Sequence, residues 1–248
     1  MNAEQRPLAG KVALVTGGSR GVGAVVARML AEAGAAVAIN YRDKVKRAEG
    51  VAAQVETAGS IALMVQTDIT SATSVDDMIL AIKEQFGCLD LLILNASGGL
   101  EKDVAADYAS VLNRDAQIRL VRKAVPIMPE GGRVVFVTSH LAHFHGERPV
   151  LPEYEPVAAS KKAGETALRE LIPDLSNADI SFVVVSGDLI DGTITSKLLD
   201  RMRPGMIDER RSQVGWLPTT DDFARAIVDA AHSREVATGD TIYVGSID

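Results

Sequence analysis

The residues Thr16-Gly17-Gly18-Ser19-Arg20-Gly21-Val22-Gly23 carry the clearest chemical signal in the chain. They follow an apolar run, Val12-Ala13-Leu14-Val15, and lead directly into an alanine-rich stretch. Glycines at such a junction let the backbone turn sharply and approach a phosphate closely. The helix that follows offers unpaired N–H groups and the positive end of its dipole. Gly17, Ser19, Gly21, Val22 and Gly23 are therefore candidate contacts for a pyrophosphate. A second cluster, His140, His143 and His145, holds three of the four histidines. Imidazoles at this spacing could ligate zinc, but only Glu147 stands nearby as a further ligand, and no metal is expected. A histidine titrating near neutrality could instead donate a proton, or the three could pack and hydrogen-bond within a loop.

Short apolar runs alternate with helical patterns along the whole sequence. Residues 12–15, 37–39, 61–65, 91–94, 133–137 and 180–185 read as strands, with Thr241-Ile242-Tyr243-Val244 as the last. Their apolar residues are continuous rather than alternating, which predicts a parallel sheet covered on both faces. Helices are expected at 24–33, 74–86 and 160–171, and the alternation predicts a doubly wound α/β domain flanked by helices. No repeat or linker divides the 248 residues, so a single domain spanning 1–248 is expected. One stretch breaks the rhythm. Residues 192–218 form a polar excursion with Arg201-Met202-Arg203-Pro204 and Arg210-Arg211, read as a substrate lid or as a solvated helical hairpin.

Acidic residues outnumber basic ones by 33 to 26, a formal charge of −7. That balance argues against nucleic acid or an anionic membrane as the main partner. The single cysteine, Cys88, excludes an intramolecular disulfide and fits a reducing compartment. The opening residues Met1-Asn2-Ala3-Glu4-Gln5-Arg6-Pro7 lack the apolar core of a secretory signal, and a cytoplasmic protein is expected.

The spacing Thr-Gly-x-x-x-Gly-x-Gly resembles that of the short-chain dehydrogenase/reductase family, and the resemblance extends over essentially the whole chain. Asp68 matches the family's aspartate beside the adenine. Asn95-Ala96-Ser97-Gly98 resembles its Asn-Ala-Gly motif, with serine in place of glycine. Ser186-Gly187-Asp188-Leu189 stands where the family has Pro-Gly, and residues 239–244 resemble its closing strand. The resemblance implies a single-domain Rossmann fold, a nicotinamide cofactor, a small-molecule carbonyl or alcohol substrate, and a homodimer or homotetramer. By it, Asn40, Tyr41, Arg42, Asp68, Ile69, Asn95, Ala96, Ser97, Lys161, Gly187 and Leu189 join the glycine loop as candidate cofactor contacts.

An acidic residue at the end of the second strand would bind the adenosine ribose and repel a 2′-phosphate. Tyr41 occupies that position, with Arg42 beside it and Arg20 in the glycine loop. Two guanidiniums without a carboxylate at the selecting position favour NADP(H), although Asp43 could pair with Arg42, and NAD(H) remains the alternative.

The resemblance further implies an asparagine holding a water relay, a carbonyl-polarising serine, a tyrosine acid and a lysine. Asn113, Ser139 and Lys161 match three of these roles. The tyrosine of Tyr-x-x-x-Lys is missing, because Val157 stands four residues before Lys161. Tyr154 lies seven before it, close to two helical turns, just ahead of a helix that Pro156 would open. It reads as a relocated acid, or as a structural or substrate-stacking tyrosine. His140 and His143 are expected in the substrate pocket with Tyr154. The expected activity is NADP(H)-dependent ketone reduction. The alternatives are an NAD(H)-linked alcohol dehydrogenase and a nucleotide-binding regulator that has lost catalysis.

Overall fold

The computed structural model describes residues 6–101 and 104–248; the opening segment read above for a secretory core lies, over residues 1–5, outside them. Seven parallel strands form one sheet in the order β3-β2-β1-β4-β5-β6-β7. They are β1 (Val12–Val15), β2 (Ala36–Tyr41), β3 (Ala62–Gln66), β4 (Leu91–Leu94), β5 (Arg133–Ser139), β6 (Ser181–Gly187) and β7 (Thr241–Val244). Chain order reverses between β1 and β4, and the carboxyl ends of strands at such a point open a crevice for ligands. This is the doubly wound sheet that the strand–helix alternation predicts.

Successive residues of each strand point to opposite faces, which divides the core in two. Ala13, Val15, Ile39, Ile93 and Val185 pack on one side against α1 (Gly21–Glu32) and α11 (Thr220–His232). Leu14, Leu92, Leu94, Val134 and Phe182 pack on the other against α3 (Ala72–Phe86), α5 (Ala116–Ala124) and α7 (Glu155–Arg169). The continuous apolar runs are explained by this two-sided burial. The edge strand β3 departs from it: Ile61, just before the strand, is 58% exposed and Met64 37%. With a neighbour on one side only, its apolar run overstates its burial.

The helices begin earlier than expected. α1 starts at Gly21 because Arg20, in an extended N-cap conformation, passes the glycine turn straight into the helix. Ser71 caps α3 by accepting from the Ser74 N–H at 3.3 Å. α7 starts at Glu155, with Pro156 second and Tyr154 as its N-cap. The chain also forms α2 (Val45–Thr57), α4 (Tyr108–Ser110), a π-helical turn at Val111–Asp115, α6 (His140–His143) and, after α7, α8 (Ile172–Asn177).

The excursion at 192–218 consists of α9 (Ile194–Met202) and α10 (Met206–Val214). Its ends meet where the Asp191 N–H donates to Pro218 O at 2.8 Å. Among the described residues no helix is long and apolar enough to cross a membrane.

Candidate active site

One cavity of about 1080 Å³ runs along the carboxyl ends of the strands. It is lined by every site residue expected from the sequence except Asn113 and His143. At one end the glycine loop forms a cradle. Gly17 and Gly21 take positive φ values of 62° and 54°. A Cβ on Gly23 would lie 2.6 Å from Asn95 Nδ2 and from Gly17 O, so that position must be glycine. No side chain caps the N-terminus of α1 and no acidic residue sits in its first turn, so the first N–H groups face the cavity unneutralised.

Side chains around the cradle hold it rather than fill it. Thr16 Oγ1 accepts from the Asn95 and Ala96 N–H groups, each at 2.9 Å, and Asn95 Nδ2 donates to Thr16 O at 2.8 Å. Asn40, expected to contact the cofactor, has both ends of its amide engaged. Its Oδ1 accepts from the Gly17 N–H at 3.1 Å and its Nδ2 donates to Thr67 O at 3.0 Å. Asp68 Oδ1 accepts from the Thr70 N–H and hydroxyl at 2.9 and 2.7 Å. The structuring role of Thr16 was legible in its place before Gly17, yet sequence reasoning passed over it.

Beyond the cradle, Arg20, Arg42 and Lys44 bring three cations to the wall that contains Tyr41. Arg42 Nε donates to Asp43 at 2.9 Å, the pairing that the sequence raised as a possible counterweight. Arg42 also donates to the Tyr108 hydroxyl, a contact across 66 residues that local reading could not find. Lys44 was likewise missed.

At the far end stands Ser139, the last residue of β5 and the N-cap of α6, whose Oγ accepts from the Ala142 N–H at 3.3 Å. The Tyr154 hydroxyl lies 3.4 Å from that Oγ. Tyr154 is only 2% exposed and packs among Ala142, Val157, Leu189, Leu199 and Leu217. Burial raises its phenol above the usual value, and the contact with Ser139 opposes that rise. A separation of 3.4 Å is long for a hydroxyl pair, but it lets both groups donate to one oxygen placed about 2.7 Å from each.

Three expectations need correction. Asn113 does not offer its side chain to a water relay. Its Nδ2 donates to Gly98 O at 2.8 Å and Ser160 Oγ at 3.0 Å, and its Oδ1 accepts from the Gly98 N–H at 3.2 Å. The crevice that it shares with Lys161 is too small for a water molecule. Asn113 is instead a tie between the loop after β4 and helix α7. His143 turns away from the cavity. Its Nδ1 bonds Glu165 at 2.8 Å and its Nε2 the Tyr243 hydroxyl at 3.0 Å, within the contact of α6 with α7 and β7. His140 does line the cavity, but it is no donor titrating near neutrality: burial pushes it down to about 4, so it stays neutral. Its Nδ1 pairs with Ser186 Oγ at 2.8 Å. His145 pairs with Glu155 at 2.6 Å, and among the described residues no three metal-ligating side chains converge.

Lys161 is buried, borders the cavity and has no hydrogen-bond partner among the described residues. Burial pushes it down to about 8, with Glu165 opposing. An ammonium held this way fits a ribose hydroxyl of a bound nucleotide. Thr138 Oγ1 and His140 Nε2, both on cavity-lining residues, also lack protein partners. These features fit a nicotinamide dinucleotide. Because the ammonium is lost above about pH 8, binding of NADP⁺ is expected to weaken up to about tenfold between about pH 7 and 9. Fluorescence titration at the two values measures it, and equal affinities would exclude the ammonium as a ligand.

The sequence profile of the short chain dehydrogenases matches residues 11–203. Hydroxynaphthalene reductase arp2 of Aspergillus fumigatus is 37% identical over 174 residues, 68% of this chain and 62% of that protein's length. A hydroxynaphthalene reductase-like protein of Metarhizium majus is 34% identical, covering 92% of this chain and 90% of its own. A crystal structure of a short chain dehydrogenase from Burkholderia cenocepacia in complex with NADP superposes with a TM-score of 0.81. It is 30% identical and covers 96% of this chain and 97% of its own. The cradle, the strand order and these matches agree: this chain belongs to the short-chain dehydrogenase family of oxidoreductases.

Proposed function

We propose that the protein catalyses NADPH-dependent reduction of a ketone on a small aromatic molecule, with Tyr154 as proton donor. The observation that carries this is the pair of hydroxyls, Ser139 Oγ and Tyr154 Oη, 3.4 Å apart in the same cavity as the nucleotide cradle. When bound, the reduced nicotinamide supplies a hydride to the carbonyl carbon. Ser139 donates a hydrogen bond to the carbonyl oxygen and polarises it. Tyr154 donates a second bond to the same oxygen and passes it the proton as charge develops. Its raised phenol stays protonated through neutral pH, so the donor is loaded before each turnover. Lys161 holds the ribose in this reading, while burial raises the Tyr154 phenol and Ser139 opposes that rise.

Three cations beside Tyr41 support a 2′-phosphate, and the Burkholderia relative binds NADP. Hydroxynaphthalene reductases among the relatives and the apolar walls at Leu100, Leu141, Val157 and Leu189 support an aromatic substrate. The excursion at 192–218 serves as the lid in this reading. Residues of α9 and α10 line the cavity, and Gly192 and Gly215 adopt positive φ at 77° and 83° near its two ends.

The test is NADPH oxidation by the purified protein with 1-tetralone, a bicyclic aromatic ketone. Turnover faster with NADPH than NADH is expected. Arg42→Ala should weaken NADPH by about 1 kcal/mol and leave NADH unchanged, a figure discounted because the Arg42 side chain is 46% exposed. Equal losses for both cofactors would remove the phosphate contact. Tight NADPH binding with no turnover of any ketone would favour the binder that has lost catalysis.

A further inference from the structure

Arg148, Arg203 and Arg210 all line the substrate end of the cavity, and their charges are used differently. Arg203 pairs with Glu209. Arg210 holds Asp188 at 2.8 Å and donates to Ser246 O and Asp248 O, each at 2.9 Å. The Arg148 guanidinium has no carboxylate and no side-chain hydrogen bond among the described residues. The residue is exposed, and Phe144 contacts both its backbone and its guanidinium. The Arg148 N–H donates to Phe144 O at 3.0 Å, and the guanidinium carbon lies 4.2 Å from the centre of the Phe144 ring. That ring stacks on Tyr243 at 5.7 Å and 10°, and His143 meets it edge-on at 4.8 Å. A guanidinium lying on a ring uses its face in the contact and keeps its N–H edge free.

We propose that Arg148 binds a carboxylate carried by the substrate, a reading that rests on the cavity being the site of carbonyl reduction. A carboxylate meets one guanidinium edge with two parallel bonds, charge against charge. A phosphate dianion would call for a second free cation, and the neighbouring arginines are already paired. Among the described residues no acidic side chain pairs with Arg148: Asp188 and Glu209 belong to Arg210 and Arg203, Glu101 accepts from the Gly99 N–H, and Asp248 accepts from the Ser246 hydroxyl. The charge of Arg148 also reaches the catalytic end, where it is one of the influences that keep His140 neutral.

Naphthalene-2-carboxylate and naphthalene-2-carboxamide have nearly the same shape and differ in charge. Each is titrated calorimetrically into the NADP⁺-saturated enzyme. The carboxylate is expected to bind about tenfold more tightly, the equivalent of about 1.4 kcal/mol. Arg148→Gln should equalise the two ligands without changing NADP⁺ affinity, and Arg148→Lys should keep part of the preference. Equal binding in the unaltered enzyme, including no heat from either ligand, overturns the proposal. So does a preference that survives Arg148→Gln, since another cation would then be responsible. Turnover of neutral 1-tetralone, followed in parallel, decides the catalytic reading separately from the role of Arg148.

Discussion

Replacing Tyr154 with Phe is expected to lower kcat by about 10²- to 10⁴-fold, the range of a lost general acid, with little change in cofactor affinity. The ring stays, so its packing against Leu189, Leu199 and Leu217 persists. Only the hydroxyl beside Ser139 is removed. Single-turnover measurement of NADPH oxidation isolates the chemical step, and a kcat near that of the unaltered enzyme eliminates Tyr154 as donor. Val157→Tyr places a phenol four residues before Lys161 and should not rescue the variant. The wall has been built around valine: a Cβ on Gly99 would lie 3.0 Å from Val157 Cγ2 and 2.7 Å from Ala109 Cβ. A phenol added at 157 is expected to crowd the substrate in the cavity that Val157 lines.

Gly164→Ala is expected to destabilise the protein by about 1–3 kcal/mol or somewhat more, the cost of overpacking against backbone. Helix propensity alone would give the opposite sign, since alanine is favoured over glycine within a helix by about 1 kcal/mol. The contact decides it. A Cβ on Gly164 would stand 2.1 Å from Asn113 O, so α7 reaches the π-helical turn only through a bare glycine. The midpoint of thermal unfolding should fall by roughly 2–4 °C for each kcal/mol in a chain of this size. A raised midpoint would show that the two segments separate freely. Activity should fall as well, because the same approach sets the Asn113–Ser160 bond at the residue next to Lys161.

The sequence by itself determined the sheet, the cradle and the valine four residues before Lys161. These are local properties: apolar runs mark strands buried on two faces, glycines mark backbone turns, and the spacing of Tyr154, Val157 and Lys161 is fixed by chain position. Thus the parallel, doubly wound sheet followed from alternation, and Gly17, Gly21 and Gly23 proved to be positions where conformation or space demands glycine. Side-chain destinations were decided by the tertiary structure. His140 and His143 lie one helical turn apart, yet β6 takes the first with Ser186 while α7 and β7 take the second with Glu165 and Tyr243. Asn113 was given to Gly98 and Ser160, and Arg42 to Tyr108, by segments far away in sequence. A polar side chain goes to whichever partner the packing of distant elements brings within about 3 Å. That distance is set by the assembled core, and no local pattern of residues encodes it.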